Sequence, residues 1–193
     1  FATAMEQAGQ IDQSNIIRND SDTLAAFRQS LAVAAARYQE GKEGTSKFIF
    51  YYSGHSDSRG IHFRDGLFPR ETLHEYLSKL NARTKVVILD SCFAGSLAAK
   101  GVREREAFEV PKLQFDEPSG SIFLSATSAR DVAYESRSLR GGVFTHNIIA
   151  GLYGKADGNS DGVVTATELY QHTFRETQLQ SHFDRQVQKP EFV

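Results

Sequence analysis

Val86-Val87-Ile88-Leu89-Asp90-Ser91-Cys92 is the stretch from which the architecture of this chain can be read. Its first four residues are an unbroken apolar, largely β-branched run, the pattern of a strand buried on both faces of a parallel sheet. The run ends in Asp90 and leads to Cys92, the single cysteine of the chain. Phe93-Ala94-Gly95-Ser96-Leu97-Ala98-Ala99 follows and can open a helix. A thiol between a strand's carboxyl end and a helix start lies in the crevice where open α/β sheets bind ligands. The positive end of that helix favours thiolate over thiol. A second run, Lys47-Phe48-Ile49-Phe50-Tyr51-Tyr52, ends the same way in Ser53-Gly54-His55. If the two strands are neighbours, His55 and Cys92 share one edge of the sheet, as nucleophilic catalysis requires.

Around these strands the pattern alternates with helices. Residues 1–10 read as a helix end stopped near Gly9, and Asn15-Ile16-Ile17-Arg18 as a short strand. Asp20-Ser21-Asp22 offers N-caps for a helix from about Thr23 to Tyr38, with Leu24, Phe27, Leu31 and Ala34/Ala35 on one face. Gly41 to Ser46 is a polar loop, Gly60 to Phe63 a short run, and Asp65-Gly66 a turn. Pro69 suits the first turn of a helix to Leu80, whose buried stripe is Leu73, Tyr76, Leu77 and Leu80. Residues 100–120 are charged, carry Pro111 and Pro118 and lack a sustained period, so an exposed linker loop is expected. Ser121 to Ala126 reads as a further buried strand and Val143 to Leu152 as a helix. Thr165-Ala166-Thr167-Glu168 fits a capping box for a last helix to about Gln180. The expected fold is α/β: one domain, residues 1–193, with a mostly parallel sheet and helices on both faces.

Composition narrows the function classes. With 193 residues, 40% hydrophobic and 24% charged, the chain has the make-up of one globular domain with a sizeable core. A net charge of -2 gives no reason to expect nucleic acid or an anionic membrane as partner. No run of about 18 apolar residues is present, so no transmembrane helix is expected. One cysteine rules out an internal disulfide framework and a multi-thiolate zinc site, and it fits a reducing, cytoplasmic compartment. The first residue is Phe1, so a fragment or a processed product is expected.

The residue types at the two strand ends define a reaction. A thiol needs only a base or a positive environment to attack a carbonyl carbon. His55 would withdraw its proton, or orient the carbonyl and later protonate the leaving amine. Backbone N–H groups of Ser56 and Cys92 are candidates for holding the developing oxyanion. Asp90 lies two residues before the thiol and by alternation points to the same face. An unpaired carboxylate there would prefer a cation, such as the Arg or Lys side chain of a substrate. Taken singly, each residue also has a plain reading: a small buried cysteine, a structural histidine, an aspartate capping the next helix.

Taken together, Tyr51-Tyr52-Ser53-Gly54-His55 and Leu89-Asp90-Ser91-Cys92-Phe93-Ala94-Gly95 resemble the two signatures of caspase-like cysteine peptidases, most closely the metacaspase and bacterial caspase-like branch. The histidine precedes the cysteine by 37 residues, an order and separation compatible with that group. Ile122 to Ala126, Ala133-Tyr134-Glu135, Gly142-Val143-Phe144-Thr145, Asp157 to Glu168 and Gln188-Lys189-Pro190 resemble its later segments, so the likeness covers roughly residues 15–192. It implies a thiol endopeptidase with His55 and Cys92 as catalytic dyad and no cofactor for the chemistry. It also implies that Asp90 recognises Arg or Lys before the scissile bond of a protein or peptide substrate. By position, residues 100–120 resemble the family's intersubunit linker, and Lys100, Arg103, Arg105 and Lys112 make it a candidate for autocatalytic processing.

Two departures stand out. Family members usually carry glycine after the histidine, where this chain has Ser56, whose side chain would stand near the oxyanion site. The family's first, central strand has no counterpart here, so an upstream segment or another chain is expected to complete the sheet. These departures sustain an alternative, a catalytically silent caspase-like module for binding or sensing.

Asp157-Gly158-Asn159-Ser160-Asp161-Gly162 with Glu168 matches EF-hand loop spacing, and Asp157, Asn159, Asp161 and Glu168 are candidate calcium ligands. The competing reading is a turn-rich loop in which Glu168 completes the Thr165 capping box.

Overall fold

The computed structural model describes residues 1–39, 47–91, 120–126, 135–136, 141–183 and 190–192. Cys92, the helix expected after it, most of the 100–120 linker and the Gly41 to Ser46 loop lie outside the described residues, as do Ala133, Tyr134, Gln188 and Lys189.

The main sheet contains β1 (Lys47–Gly54), β5 (Thr84–Ser91), β6 (Gly120–Ser125) and β9 (Glu191–Phe192), in the order β1-β5-β6-β9. β1, β5 and β6 are mutually parallel and β9 returns antiparallel. Among the described residues, β1 stands at one edge. Between β1 and β5 the chain makes a small antiparallel sheet of β2 (Ser56–Asp57), β3 (Gly60–Phe63) and β4 (Gly66–Pro69). It then forms helix α3 (Arg70–Lys79), which starts one residue after Pro69: the proline ends β4 at the N-cap position, with no side-chain cap bond, rather than lying in the first turn.

Alternation along the strands builds two cores. Val87 and Leu89 of β5, with Phe50 of β1 and Phe123 of β6, face α3 and α2 (Leu24–Gln39), meeting Leu73, Leu77, Phe27 and Leu31. Ile88, Ile122 and Leu124 face the opposite way, toward α4 (Val143–Ala150) and α5 (Ala166–Phe183), meeting Phe144, Ile148 and Leu169. Burying each large apolar side chain contributes about 1.5–3 kcal/mol, so these two layers hold the helices against the sheet. Helices lie on both faces, as the strand–helix alternation predicts.

Local chemistry changes three expected boundaries. Asn15 to Arg18 is not a strand. The Asp12 carboxylate accepts from Ser14 N (2.8 Å) and winds Gln13–Asn15 into a 3₁₀ turn after a short helix α1 (Ala2–Gln7). The start of α2 is held by Thr23, whose Oγ1 accepts from Ala26 N, and by the distant Asp65, whose carboxylate accepts from Leu24 N (2.6 Å). Asp20 and Asp22 pair instead with Arg18 and Arg64. α4 stops at Ala150 and passes into a π turn, Gly151–Lys155, broken where Gly154 takes a φ of 101°. A two-residue pair, β7 (Glu135–Ser136) with β8 (Gly141–Gly142), was not legible in the sequence.

Candidate active site

β1 and β5 run side by side and end level. Ser53 is in register with Asp90 and Gly54 with Ser91, the last pair of the ladder. The residues that follow are His55 and Cys92. Register partners in a parallel pair share a face, so Ser53 and Asp90 lie on the side of Ile88 that packs on α4. His55 is exposed at this rim. Cys92 lies outside the described residues, and the structure describes the strand to the residue before it.

The backbone of His55 is tied down from two directions. Its carbonyl accepts from His62 N of β3 (2.9 Å) and from the Tyr52 hydroxyl (3.1 Å). Burial pushes the Tyr52 phenol up to about 12, keeping it a neutral donor. Gly54 makes this possible, because a Cβ there would collide with the Tyr52 hydroxyl. Ser56 is buried, and its hydroxyl donates to the Ser91 hydroxyl (2.8 Å). Behind this turn Asp57 pairs with Arg59 and His62, each at 2.9 Å. Hydrogen bonding from Arg59, more than that from His62, holds its carboxyl well below the usual carboxylate range.

Asp90 is buried, 7% exposed, and it is not unpaired. Its Oδ2 accepts from Thr145 Oγ1 (2.5 Å), and Thr145 shares a further hydrogen bond with the Tyr51 hydroxyl (2.9 Å). Since Thr145 donates its one proton to Asp90, Tyr51 donates to Thr145. Burial, with the Asp90 charge adding, holds the Tyr51 hydroxyl above its ordinary value. Gly142, the N-cap of α4, comes so close that a Cβ would collide with the Asp90 carboxylate. A negative charge at the start of a helix is favoured by the helix dipole. The expectation of an unpaired Asp90 is therefore corrected: α4 supplies partners for it.

A family model described as the caspase domain matches residues 13–193. The chain belongs to the caspase-domain family. That family is one of cysteine-type peptidases, a class of hydrolases. No curated protein matches the chain. Among solved structures it is similar to the crystal structure of caspase-1 from Spodoptera frugiperda, with a TM-score of 0.57 and 11% identity over 88% of this chain. The match takes in 66% of that protein's chain, and at this identity the likeness concerns the fold.

Elsewhere in this caspase domain, the candidate calcium residues make a turn. Asp157 accepts from Asp161 N and Gly162 N, Asn159 from Asp161 N, and Asp161 from Val163 N. Glu168 and Thr165 form the reciprocal capping box of α5: Glu168 Oε2 accepts from Thr165 N (3.0 Å) and Thr165 Oγ1 from Glu168 N (3.2 Å). Those bonds from Thr165 hold the Glu168 carboxyl below its ordinary value. Among the described residues, no group of three or more His, Cys, Asp or Glu side chains is placed to hold a metal ion. No helix among them is long and apolar enough to cross a membrane.

The sequence singles out His55, Ser56 and Asp90 as candidates but not Tyr51, Tyr52, Ser91 and Thr145, which bond to them in the structure. For Tyr51 and Tyr52 a signal existed, since alternation puts one on each face of β1. Thr145 had none, because its contact with Asp90 spans 55 residues of chain.

Proposed function

We propose that this caspase domain is a cysteine endopeptidase of the metacaspase-like branch that cuts peptide bonds after Arg or Lys, with His55 and Cys92 as its dyad. The observation that carries this reading is the level ending of β1 and β5, in which the chain neighbours of His55 and Cys92 are the final register pair. His55 takes the thiol proton and the thiolate adds to the substrate carbonyl carbon. The tetrahedral oxyanion is met by backbone N–H groups of Ser56 and Cys92, a type of contact worth about 3–4 kcal/mol of barrier each. His55 then protonates the departing amine, leaving a thioester. Water, deprotonated by His55, releases the acid and restores the thiol.

Asp90 supplies the preference for a basic side chain. The chain Tyr51 to Thr145 to Asp90 delivers one hydrogen bond to its carboxylate and leaves the negative charge uncancelled by Thr145 or Tyr51. No cofactor takes part in the chemistry; calcium at Asp157, Asn159, Asp161 and Glu168 would be regulatory. Lys100, Arg103, Arg105 and Lys112 are sites where such an enzyme would cut itself, and an upstream segment or another chain would complete the sheet beside β1. We place the protein in the cytoplasm, with protein or peptide substrates.

A panel of fluorogenic peptides differing only before the scissile bond tests this reading. Cleavage should follow Arg or Lys and vanish in Cys92→Ala and in His55→Ala, both remaining folded. Cleavage after Asp, or activity surviving Cys92→Ala, would overturn it; no cleavage of any peptide would favour a silent binding module.

A further inference from the structure

We propose that the cleft between α4 and α5 is a binding site for a small oxyanion, held by the exposed Lys155 and Arg175 and by the buried ring of His172, which takes up a proton as the anion binds. Neither His55 nor Asp90 lines this cleft, so the proposal stands without the dyad assignment.

The cleft has a volume of about 350 Å³, ample for a tetrahedral oxyanion. Its charged and titratable lining, among the described residues, is His146 of α4, Lys155 of the π turn, and His172, Arg175 and Glu176 of α5. Lys155 has no ion-pair partner among the described residues, and Arg175 places its Nε on Glu176 at 2.9 Å. With both histidines neutral the lining is already net positive, since two cations face one carboxylate. Proton uptake by either imidazole adds to that charge.

His172 is the group that points to a ligand. It is 7% exposed, and neither ring nitrogen has a hydrogen-bond partner among the described residues. The other buried polar group of the lining is satisfied: Asn147 Nδ2 donates to Thr177 Oγ1 and to Gln180 Oε1, each at 3.2 Å. A buried donor without an acceptor is destabilising, and such groups are rare unless something outside the chain completes them. An oxyanion in the cleft supplies the acceptor. Both nitrogens are shielded in the empty cleft, so binding turns the ring edge toward the anion by rotation about its Cβ–Cγ bond, a soft torsion in histidine.

Proton and anion then help each other. Burial holds the empty-site imidazole below its ordinary value; Glu176 opposes this, while Arg175 and Lys155 act with burial. An anion beside the ring favours its charged form and raises that value. By reciprocity the anion binds more tightly to the protonated site, so affinity rises as pH falls.

Sulfate is the probe, because its own charge is constant between about pH 8 and pH 5.5. Binding to the whole chain is followed by NMR of the histidine rings, at an ionic strength held constant with potassium chloride. The expected result is saturable binding about tenfold tighter at the lower pH, with the His172 titration midpoint raised by about one pH unit at saturation. His172→Leu should bind about tenfold more weakly than wild type at the lower pH and within about twofold of it at the higher. Lys155→Ala should weaken binding at both. Absence of saturable binding, equal wild-type affinity at the two pH values, or wild-type affinity in either variant at the lower pH would overturn the site. If His172→Leu fails to fold, the wild-type midpoint decides: a rise with sulfate supports the proposal and an unmoved midpoint ends it.

Discussion

Asp90 is a buried carboxylate two residues before the proposed nucleophile, held by a hydrogen bond from the neutral Thr145 hydroxyl. Thr145 and the N-terminus of α4 surround its carboxylate, and Tyr51 orients Thr145. Replacing charge without removing the hydrogen-bonding shape separates the two roles. Asp90→Asn is expected to lower kcat/KM for an Arg peptide by about a hundredfold, the scale of a charge-assisted contact of about 3 kcal/mol, while thermal unfolding changes little. Equal rates for wild type and variant would remove Asp90 from substrate recognition. Tyr52→Phe deletes the hydroxyl that holds the His55 carbonyl and should cost about 1 kcal/mol of stability, read by denaturant unfolding. His55 and Asp90 were legible in the sequence because each ends or nearly ends a strand, where period-two alternation and chain direction place it. Thr145 was not, since only packing of α4 on the sheet brings it to Asp90.

β1, β5 and β6 were legible as apolar runs; β5 is buried on both faces from Val87 onward and needs no alternation to be seen, whereas in β1 only Phe50 is buried. α3 was legible through its apolar stripe after Pro69, and α5 through the capping box of Thr165 with Glu168. The misread element, Asn15 to Arg18, had β-branched residues but lay beside Asp12, whose side chain competes with extended backbone by bonding Ser14. Two-residue strands such as β7 and β8 carry too little pattern to be read at all. The capping box is testable on its own. Thr165→Ala should lower the unfolding midpoint by about 2–4 °C, matching the loss of one N-cap of about 1 kcal/mol. An unchanged midpoint would mean that the α5 start is held by packing alone.

Across the whole domain, the two cores lock helices onto both faces of the sheet, and the α4–α5 layer contains a group sensitive to acid. His172 of α5 is 7% exposed and neither ring nitrogen has a hydrogen-bond partner among the described residues. It lines a cleft with His146 of α4, Lys155 of the π turn, and Arg175 and Glu176 of its own helix. Burial holds the imidazole below its ordinary value; Lys155 and Arg175 act in the same direction and Glu176 opposes them. Between its folded value and the ordinary histidine value of about 6.5, the unfolded chain binds the extra proton, so stability falls as pH drops through that window. His172→Leu should therefore lose less stability than wild type between pH 8 and pH 5.5, measured as thermal midpoints. Parallel losses in the two proteins would show that His172 does not set the acid limit.

The proposed dyad requires His55 and Cys92 to meet at the rim where β1 and β5 end. Labelling by a peptidyl chloromethyl ketone carrying Arg next to the reactive carbon, followed by peptide mass mapping, tests it most directly. The predicted result is modification at Cys92 in the wild-type protein, at least tenfold slower in His55→Ala and absent with an Asp-bearing reagent. Labelling of Cys92 at the same rate without the imidazole, or no labelling of Cys92 at all, would contradict it.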